Sequence, residues 1–278
     1  MHKIILFIKS YRPDFERTLN LLTSIEKFNA DKIPVYLSVN DKDFDFFKNN
    51  LPNHEIVLIK DSEIISCDLT DGWRYQQVVK SSVYRLGVCK NYLCIDADSE
   101  FIKQFQINDF IYEDDTPYTI MHESKPFLEM LEIINVKNIF FKESLDAVRK
   151  EFNTHGKYWD YGPSPYLWSC KVWEHFNEVY LKNKGIAFQQ FLNELDKNSP
   201  SECAIYGEYL RKTKLIDIIA VENFFKVYHF KKQFKLERKY FIKNQLAKIY
   251  LGVIVQSNFS DKKSKWLSLF SFLMKKRK

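Results

Sequence analysis

The sequence has little glycine and proline, and it lacks the short motifs that would assign a function directly. It contains 7 Gly and 8 Pro in 278 residues, while 45% of its residues are hydrophobic. This composition excludes a disordered or collagen-like chain, because there is ample apolar surface to bury in a core. No G-x-x-x-x-G-K-[ST] or G-x-G-x-x-G segment occurs, so neither a P-loop kinase nor a Rossmann dehydrogenase is indicated.

Cysteines and long apolar runs are also scarce. The five cysteines are an odd number and include no C-x-x-C pair, which fits a reducing compartment and favours neither a zinc site nor a disulfide framework. No stretch approaches the ~20 apolar residues of a membrane span. The five apolar residues after Lys3 are too few for a signal-peptide core. We therefore expect a cytoplasmic protein that is soluble or attached to a membrane surface.

Positive charge is concentrated in the C-terminal quarter. Residues 226–278 carry fifteen Lys and Arg against two acids, a net charge of +13. The whole chain carries +6, so residues 1–225 carry −7. Such a segment implies an anionic partner. Nucleic acid is not expected, because the body would repel phosphates and no helix-turn-helix, zinc-finger or RNP pattern is present.

The last seventeen residues combine apolar bulk with lysine clusters. On a helical wheel, serines of 264–274 share one face, while Trp, Leu, Phe and Met cover the other. Bulky apolar groups between basic clusters suit the surface of an anionic membrane. We predict that residues 262–278 attach the protein to the inner face of the cytoplasmic membrane. The alternatives are a solvated tail, or a helix packed on the body or on a second subunit of a homo-oligomer.

The first hundred residues alternate strand and helix patterns. Four apolar strands are predicted at 3–8, 33–39, 55–59 and 91–95. Helical patterns separate them, the last over 72–86. Strands separated by helices indicate a doubly wound parallel sheet, which binds ligands at the carboxyl ends of its strands.

Beyond residue 100 the pattern is looser. We expect further strands at 119–121, 215–221 and 224–228. Helices are predicted at 142–153, 170–196 and, as a basic helix, 236–255. We infer one α/β domain over residues 1–232 and a basic helical extension over 233–278.

Two aspartates stand at the end of the predicted fourth strand. Asp96 and Asp98 follow the apolar run 92–95, and in an extended chain their side chains point the same way. Two such carboxylates are suitable ligands for a hard divalent cation that also binds a diphosphate. The structural alternative is a pair of exposed acids in an ordinary loop.

At this segment the sequence resembles the nucleotide-sugar-dependent glycosyltransferases of the GT-A fold, whose D-x-D motif ends an apolar strand about a hundred residues into the chain. The resemblance implies a GT-A-like α/β fold with a mixed sheet flanked by helices, and a nucleotide-sugar donor, foremost a UDP-sugar. It implies that Asp98 binds Mn²⁺ or Mg²⁺ directly, and that Asp96 contacts the ribose or reaches the metal through water. The metal would neutralise the leaving nucleoside diphosphate.

The segment 72–80, G-W-R-Y-Q-Q-V-V-K, extends the resemblance. It is similar to the G-W-x-x-Q-Q-x-x-K segment of a bacterial group of surface-polysaccharide (lipopolysaccharide or capsule) glycosyltransferases. On a helical wheel its polar stripe, suited to sugar hydroxyls and phosphate, consists of Trp73, Gln76, Gln77 and Lys80. The alternative is an ordinary solvated helix start.

Residues after the first and last strands complete the donor site that the resemblance implies. The loop that receives the nucleotide would be Ser10, Tyr11 and Arg12, unless it is a mere β–α connection. His229, after the strand 224–228, would be an extra metal ligand, since a neutral imidazole suits Mn²⁺. Lys231 and Lys232 would offset the diphosphate charge. The alternative for His229 is an ordinary strand-end residue.

An inverting transfer needs a base that deprotonates the acceptor hydroxyl as it attacks the anomeric carbon. Glu202 matches the position of the family's catalytic carboxylate, which opens a helix about a hundred residues past the D-x-D. The alternative is structural, because residues 199–202, S-P-S-E, also form a capping-box pattern with Pro at the first helical position. Asp160 is the reserve base. It lies in an aromatic loop, 156–168, that would stack on sugar rings or pack under the core.

The sequence therefore predicts a metal-dependent glycosyltransferase that moves a sugar from a nucleotide donor to a surface glycan carried on a lipid, with inversion preferred. One alternative is a non-catalytic glycan-binding or scaffold protein on the same fold. Another is a phosphatase of the haloacid dehalogenase type, which also has D-x-D after an apolar strand. That motif belongs to the first strand of its domain, whereas three β/α units precede it here.

Overall fold

The computed structural model describes residues 1–52, 55–133, 140–195, 201–237 and 243–256. The predicted membrane-surface tail, 262–278, lies outside this set. Among the described residues, no helix has the length and apolar character that crossing a bilayer requires.

The strands and helices follow the predicted alternation in the first hundred residues. In chain order the strands are β1 His2–Ser10, β2 Val35–Val39, β3 Ile56–Lys60, β4 Cys89–Asp96, β5 Ser99–Phe101, β6 Thr119–Ile120, β7 Tyr166–Ser169, β8 Ala220–Val221, β9 Phe225–Tyr228 and β10 Gly252–Val255. The α-helices are α1 Phe15–Phe28, α2 Phe44–Asn50, α3 Asp61–Ile64, α4 Gly72–Ser81, α5 Lys125–Ile133, α6 Phe140–Phe152, α7 Cys170–His175, α8 Lys182–Lys184, α9 Phe188–Leu195, α10 Glu202–Thr213, α11 Lys231–Glu237 and α12 Lys243–Leu246. The π-helix Phe176–Leu181 joins α7 to α8, and short 3-10 helices lie at Arg12–Asp14, Asp41–Asp43, Val83–Leu86 and Ile107–Asp109.

The main sheet has five strands in the order β3-β2-β1-β4-β7. Strands β1 to β4 are parallel, whereas β7 runs antiparallel to β4. The prediction of an α/β fold with a mixed sheet flanked by helices is confirmed. The strand order reverses between β1 and β4, and open α/β sheets bind ligands in the crevice at such a point. At this crevice Lys9 lies opposite Asp96 in register.

Both faces of the main sheet are covered, which explains the continuous apolar runs. Residues 4–8 of β1 are all buried. Ile5 and Phe7 enter the core on one face, while Ile4, Leu6 and Ile8 enter the core on the other. The two-residue period of a strand sends alternate side chains to opposite faces, so a strand buried on both faces is apolar at every position.

A second sheet, β5-β10-β9, contains a strand that the sequence pattern had assigned to a helix. β10 pairs antiparallel with β5 and parallel with β9. The predicted basic helix over 236–255 is therefore wrong at its end. The residues of β10 read G-V-I-V and three of the four are buried, and β-branched side chains favour a pleated, buried strand.

Two other predicted elements differ in length. The helix predicted over 170–196 ends first at Lys184, where Gly185 adopts the left-handed conformation, and resumes as α9. Glycine has no Cβ to strain at such a position, so it commonly follows a helix end. The strand predicted over 215–221 is confined to β8, which pairs with β6.

The packing of α10 against the loop before β7 depends on Gly207. A Cβ added to Gly207 would lie 2.1 Å from Cδ1 of the buried Tyr161 ring. We expect Gly207→Ala to lower the free energy of unfolding by about 1–3 kcal/mol, because overpacking forces neighbouring groups apart. Urea denaturation measures this change. Gly72→Ala is the control, because an added Cβ there meets nothing within 4 Å; an equal midpoint for both variants would contradict the prediction.

Candidate functional site

Three ionisable side chains meet where β4 ends. Nζ of Lys80, on α4, lies 2.6 Å from Oδ1 of Asp96 and 3.6 Å from Oε1 of Glu202 on α10. We call these three residues the Lys80 cluster. The side chains of Lys80 and Glu202 are 4% and 5% exposed, whereas that of Asp96 is 34% exposed. Asp96 therefore faces solvent at the crevice, and its two partners lie beneath the surface.

Local contacts fix the position of Lys80. Asp71 caps the start of α4, since its Oδ1 accepts a hydrogen bond from the backbone N–H of Trp73 at 2.9 Å. The hydroxyl of Tyr92 on β4 donates to the carbonyl of Lys80 at 2.7 Å. The last turn of α4 is thereby tied to the strand, and the lysine side chain reaches the carboxylate at the end of β4.

The start of α10 presents Glu202 to this lysine. Glu202 is the first residue of α10, after an N-cap Ser201 that has extended backbone and no side-chain capping hydrogen bond. The capping box predicted over 199–202 would make Glu202 the third helical residue, whereas Glu202 is the first residue of the described α10. The carboxylate of Glu202 also accepts a hydrogen bond from its own backbone N–H, so a structural role at the helix start stays a prediction beside the catalytic one. Residues 199 and 200 themselves lie outside the described residues.

Burial and charge act in opposite directions on the cluster. Burial raises the pKa of Glu202, although the Lys80 ammonium counteracts part of this rise. Burial also opposes the charge of Lys80, but Asp96 and Glu202 outweigh it and leave the pKa of Lys80 above its ordinary value. Lys80 therefore stays charged, and Glu202 is a carboxyl group whose proton affinity is raised by burial.

The loop before β7 closes over the end of β4. The backbone N–H of Asp96 donates to Oγ of Ser164 at 3.1 Å. The ring centre of Tyr166 lies 5.8 Å from Nζ of Lys80, and this ring stacks on Trp168 at 4.9 Å. The Tyr166 ring helps to exclude water from Lys80, whose side chain is 4% exposed.

The aromatic loop 156–168 does not form the predicted sugar-stacking platform as a whole. Tyr161 and Trp168 are buried in the core, as in the alternative that the sequence left open. The exposed Tyr158 holds the guanidinium of Arg149 4.2 Å above its ring and donates a hydrogen bond to Asp146. The loop chiefly packs and braces the structure.

Asp160, the reserve base, holds two loop segments together. Its carboxylate accepts hydrogen bonds from Oγ of Ser124 at 2.7 Å and from the backbone N–H of Gly162 at 3.0 Å. Its backbone exchanges two hydrogen bonds with His122. Burial raises the pKa of Asp160 despite these contacts. The geometry gives Asp160 a structural function, and Glu202 is the carboxylate beside Asp96.

The two predicted aspartates do not lie side by side on an extended strand. Ala97 and Asp98 form a turn between β4 and β5, so the extended arrangement expected for the two aspartates is wrong. β10 lies between Asp98 and the end of β9, because Val255 donates its N–H to the carbonyl of Asp98 and pairs with Tyr228. Across the described ranges, no three His, Cys, Asp or Glu side chains are grouped so that they could hold a metal ion.

His229 directly follows β9, on the far side of β10 from the backbone of Asp98. Two strand spacings of about 4.8 Å separate the backbones at Asp98 and Tyr228, with β10 between them. The imidazole of His229 packs on Phe127 with ring centres 4.6 Å apart. Burial lowers the pKa of His229 to about 4, so this side chain is neutral at pH 7. A metal ligand must be neutral in the same way, so the metal-binding role of His229 stays a prediction.

The other predicted donor-binding residues differ in exposure. At the end of β1, Ser10 is buried with Oγ 2.6 Å from Oγ1 of Thr18, while Tyr11 and Arg12 are exposed. On α4, Trp73 is exposed and Gln76 half-buried, whereas Gln77 is fully buried and neither atom of its amide has a hydrogen-bond partner within the described part of the chain. At the start of α11, Lys231 is half-buried and Lys232 exposed.

A second buried ion pair was missed by the sequence analysis. Nζ of Lys9, at the end of β1, lies 3.0 Å from Oδ2 of Asp61, the residue after β3. Ser38 on β2 donates a hydrogen bond of 2.5 Å to the other oxygen of Asp61. Burial lowers the pKa of Lys9, and Asp61 counteracts this effect. In the sequence, the sign of this ion pair was Lys9 directly after the apolar run of β1. Its partner Asp61 could not be identified, because only the strand order β3-β2-β1 brings it beside Lys9.

Comparison with known proteins gives a family and one reported fold likeness. No curated protein matches the sequence. The crystal structure of mouse Xyloside xylosyltransferase 1, apo form, is similar with a TM-score of 0.49 and 8% sequence identity, covering 92% of this chain and 98% of that chain. A family model described as a family of unknown function (DUF6492) matches residues 3–251, which include the whole Lys80 cluster. Because this match spans most of the sequence, the chain belongs to the family DUF6492.

Proposed function

We propose that the protein is a glycosyltransferase that moves a sugar from a nucleotide donor, foremost a UDP-sugar, to a hydroxyl of an acceptor. The observation that carries the proposal is the Lys80 cluster at the end of β4, beside the crevice between β1 and β4. Perturbed ionisable groups at a ligand-binding crevice are characteristic of active sites. The D-x-D and G-W-x-x-Q-Q-x-x-K resemblances give the same reaction class.

The proposed reaction inverts the anomeric centre. The acceptor oxygen attacks the anomeric carbon, the bond from that carbon to the diphosphate oxygen breaks, and the diphosphate leaves with the electron pair. The proton of the acceptor hydroxyl passes to the carboxylate of Glu202. Burial raises the pKa of Glu202, the direction that favours uptake of a proton by a general base.

Only the sequence supports the proposed acceptor and the proposed location of the protein. We propose a surface glycan carried on a lipid as acceptor, with residues 262–278 holding the protein at the inner face of the cytoplasmic membrane. The clustered lysines and the apolar face of that segment support this part of the proposal. The segment lies outside the described residues.

A buried carboxyl group favours catalysis over simple glycan binding. Burial raises the pKa of Glu202 at a cost in stability, and carboxyl groups with perturbed pKa values beside a crevice cluster at catalytic sites. A phosphatase of the haloacid dehalogenase type would need Asp96 as a nucleophile on the first strand of its domain. In this structure Asp96 ends β4 and is held in an ion pair by Lys80.

A nucleoside diphosphate is expected to stabilise the folded protein. At ~100 times its dissociation constant, UDP should raise the free energy of unfolding by about 2.7 kcal/mol, because it binds only the folded state. Thermal and urea unfolding with a panel of nucleoside diphosphates measure the effect, with uridine and inorganic phosphate as controls. A parallel screen follows the release of nucleoside diphosphate from nucleotide sugars by chromatography. If no nucleotide stabilises the protein and no nucleotide sugar is turned over, the proposed function is wrong.

A further inference from the structure

We infer that the ammonium of Lys80 is the resident cation of this site and occupies the position at Asp96 that a divalent metal ion would need. The catalytic role of this cation rests on the proposed function. The Lys80 ammonium removes Asp96 from the direct ligands of a divalent ion, because it already occupies the Asp96 carboxylate; the predicted direct ligand, Asp98, is a separate question.

The ammonium of Lys80 is in direct contact with the carboxylate of Asp96. Nζ of Lys80 is 2.6 Å from Oδ1 of Asp96, a short charge-assisted contact. A divalent ion bound by the same carboxylate would lie about 2.0–2.6 Å from one of its oxygens. Two cations would then share one carboxylate at a separation of a few ångströms, where their repulsion opposes metal binding.

Burial holds the Lys80 side chain in place. It is 4% exposed, and its Nζ also lies 3.6 Å from Oε1 of Glu202. The ring of Tyr166 covers it further. Moving a buried ammonium away from its carboxylate partners leaves uncompensated charges in the interior, which is strongly unfavourable. Asp96 is therefore neutralised by a group of the protein itself.

The chain does not hold Asp96 and Asp98 side by side as a pair of metal ligands. The turn at Ala97 and Asp98 ends the extended strand directly after Asp96. β10 lies between the backbones of Asp98 and Tyr228. Within the part of the chain that the structure describes, no three metal-ligating side chains of the His, Cys, Asp or Glu type are grouped together. The pattern D-x-D is present in the sequence, but its first carboxylate, that of Asp96, forms an ion pair with Lys80.

Manganese binding to the full-length protein tests the inference without an activity assay. Free Mn²⁺ is titrated by electron paramagnetic resonance against the wild type, Asp96→Asn and the double variant Lys80→Met/Glu202→Gln. Asp96→Asn should leave Mn²⁺ affinity unchanged, whereas the double variant should bind Mn²⁺ about tenfold more tightly or better, since Asp96 is released as a ligand. The double variant removes both buried charges, so it leaves no lone charge in the interior. Lys90→Met, which removes an exposed lysine, should behave as the wild type.

A second arm measures UDP affinity by calorimetry with Mn²⁺ and with a chelator present instead. Mn²⁺ should change UDP affinity by the same factor in the wild type and in Asp96→Asn. A wild-type protein that binds Mn²⁺ or Mn²⁺–UDP about tenfold more tightly than Asp96→Asn would overturn the inference, as would a folded double variant with unchanged Mn²⁺ affinity. If the double variant does not fold, the comparison of the wild type with Asp96→Asn decides. If no nucleotide binds under any condition, the proposed function fails, while the Mn²⁺ titration still tests the role of Lys80.

Discussion

Replacing Glu202 with Gln is expected to reduce sugar transfer by about 10²–10⁴-fold, the usual contribution of a positioned general base. The amide has nearly the shape of the carboxyl group but cannot take the proton of the acceptor hydroxyl. Glu113→Gln, which changes an exposed glutamate outside the site, is the matched control and should keep full activity. Initial rates with saturating donor and acceptor measure the difference.

The same substitution should raise the free energy of unfolding at neutral pH. Burial raises the pKa of Glu202, so the folded protein holds this proton more tightly than the unfolded chain. The stability from this group is fully present below the unfolded pKa and is lost as pH rises through the folded pKa. Each unit by which the pKa is raised costs about 1.4 kcal/mol once the carboxylate is ionised. Gln carries no such cost.

Two measurements together separate a catalytic Glu202 from a structural one. Urea unfolding at several pH values should show that wild-type stability falls from acid to neutral pH relative to Glu202→Gln. In the wild type, transfer should also fail as pH drops through the raised pKa, because the base becomes protonated. Activity equal to the wild type in Glu202→Gln would rule out the base assignment. A variant that is inactive but less stable at neutral pH would point to a structural ion pair.

The parts of the fold that depend on local pattern were predictable. β1 to β4 were found from their apolar runs, because a strand buried on both faces is apolar at each position. β10 was not, because four residues, G-V-I-V, follow a stretch rich in lysine that has a helical pattern. What makes these residues a strand is the pairing with β5 and β9, which are far away in the sequence.

The candidate site shows the same limit. Lys80, Asp96 and Glu202 were each selected from the sequence, but as separate ligands of a donor, a metal and an acceptor. Their mutual ion pairs depend on how α4 and α10 pack at the end of β4, and no spacing in the sequence encodes that contact. The strand β10, which was not predicted, lies between the backbones of Asp98 and Tyr228, and the role of His229 as a metal ligand stays a prediction.

The largest expected loss of stability follows from Lys80→Met. The substitution keeps the length of the side chain and removes the only ammonium that contacts Glu202 among the described ion pairs. Breaking a buried ion pair by removing one partner costs about 3–5 kcal/mol, since the other charge stays buried without compensation. Asp96, which is 34% exposed, can be hydrated, so Glu202 accounts for most of the loss.

The pH dependence of this loss identifies its cause. Lys80 lowers the pKa of Glu202, so without Lys80 the folded pKa of this carboxyl group rises further above its unfolded value. Stability is then kept below the unfolded pKa and lost as pH rises towards the folded one, which makes the deficit of Lys80→Met larger at pH 8 than at pH 5. Adding Glu202→Gln should restore much of the lost stability, while the exposed control Lys90→Met should change little. A deficit that is the same at both pH values and is not relieved by Glu202→Gln would mean that Lys80 stabilises the fold by packing alone, and that the cluster is not an electrostatic unit.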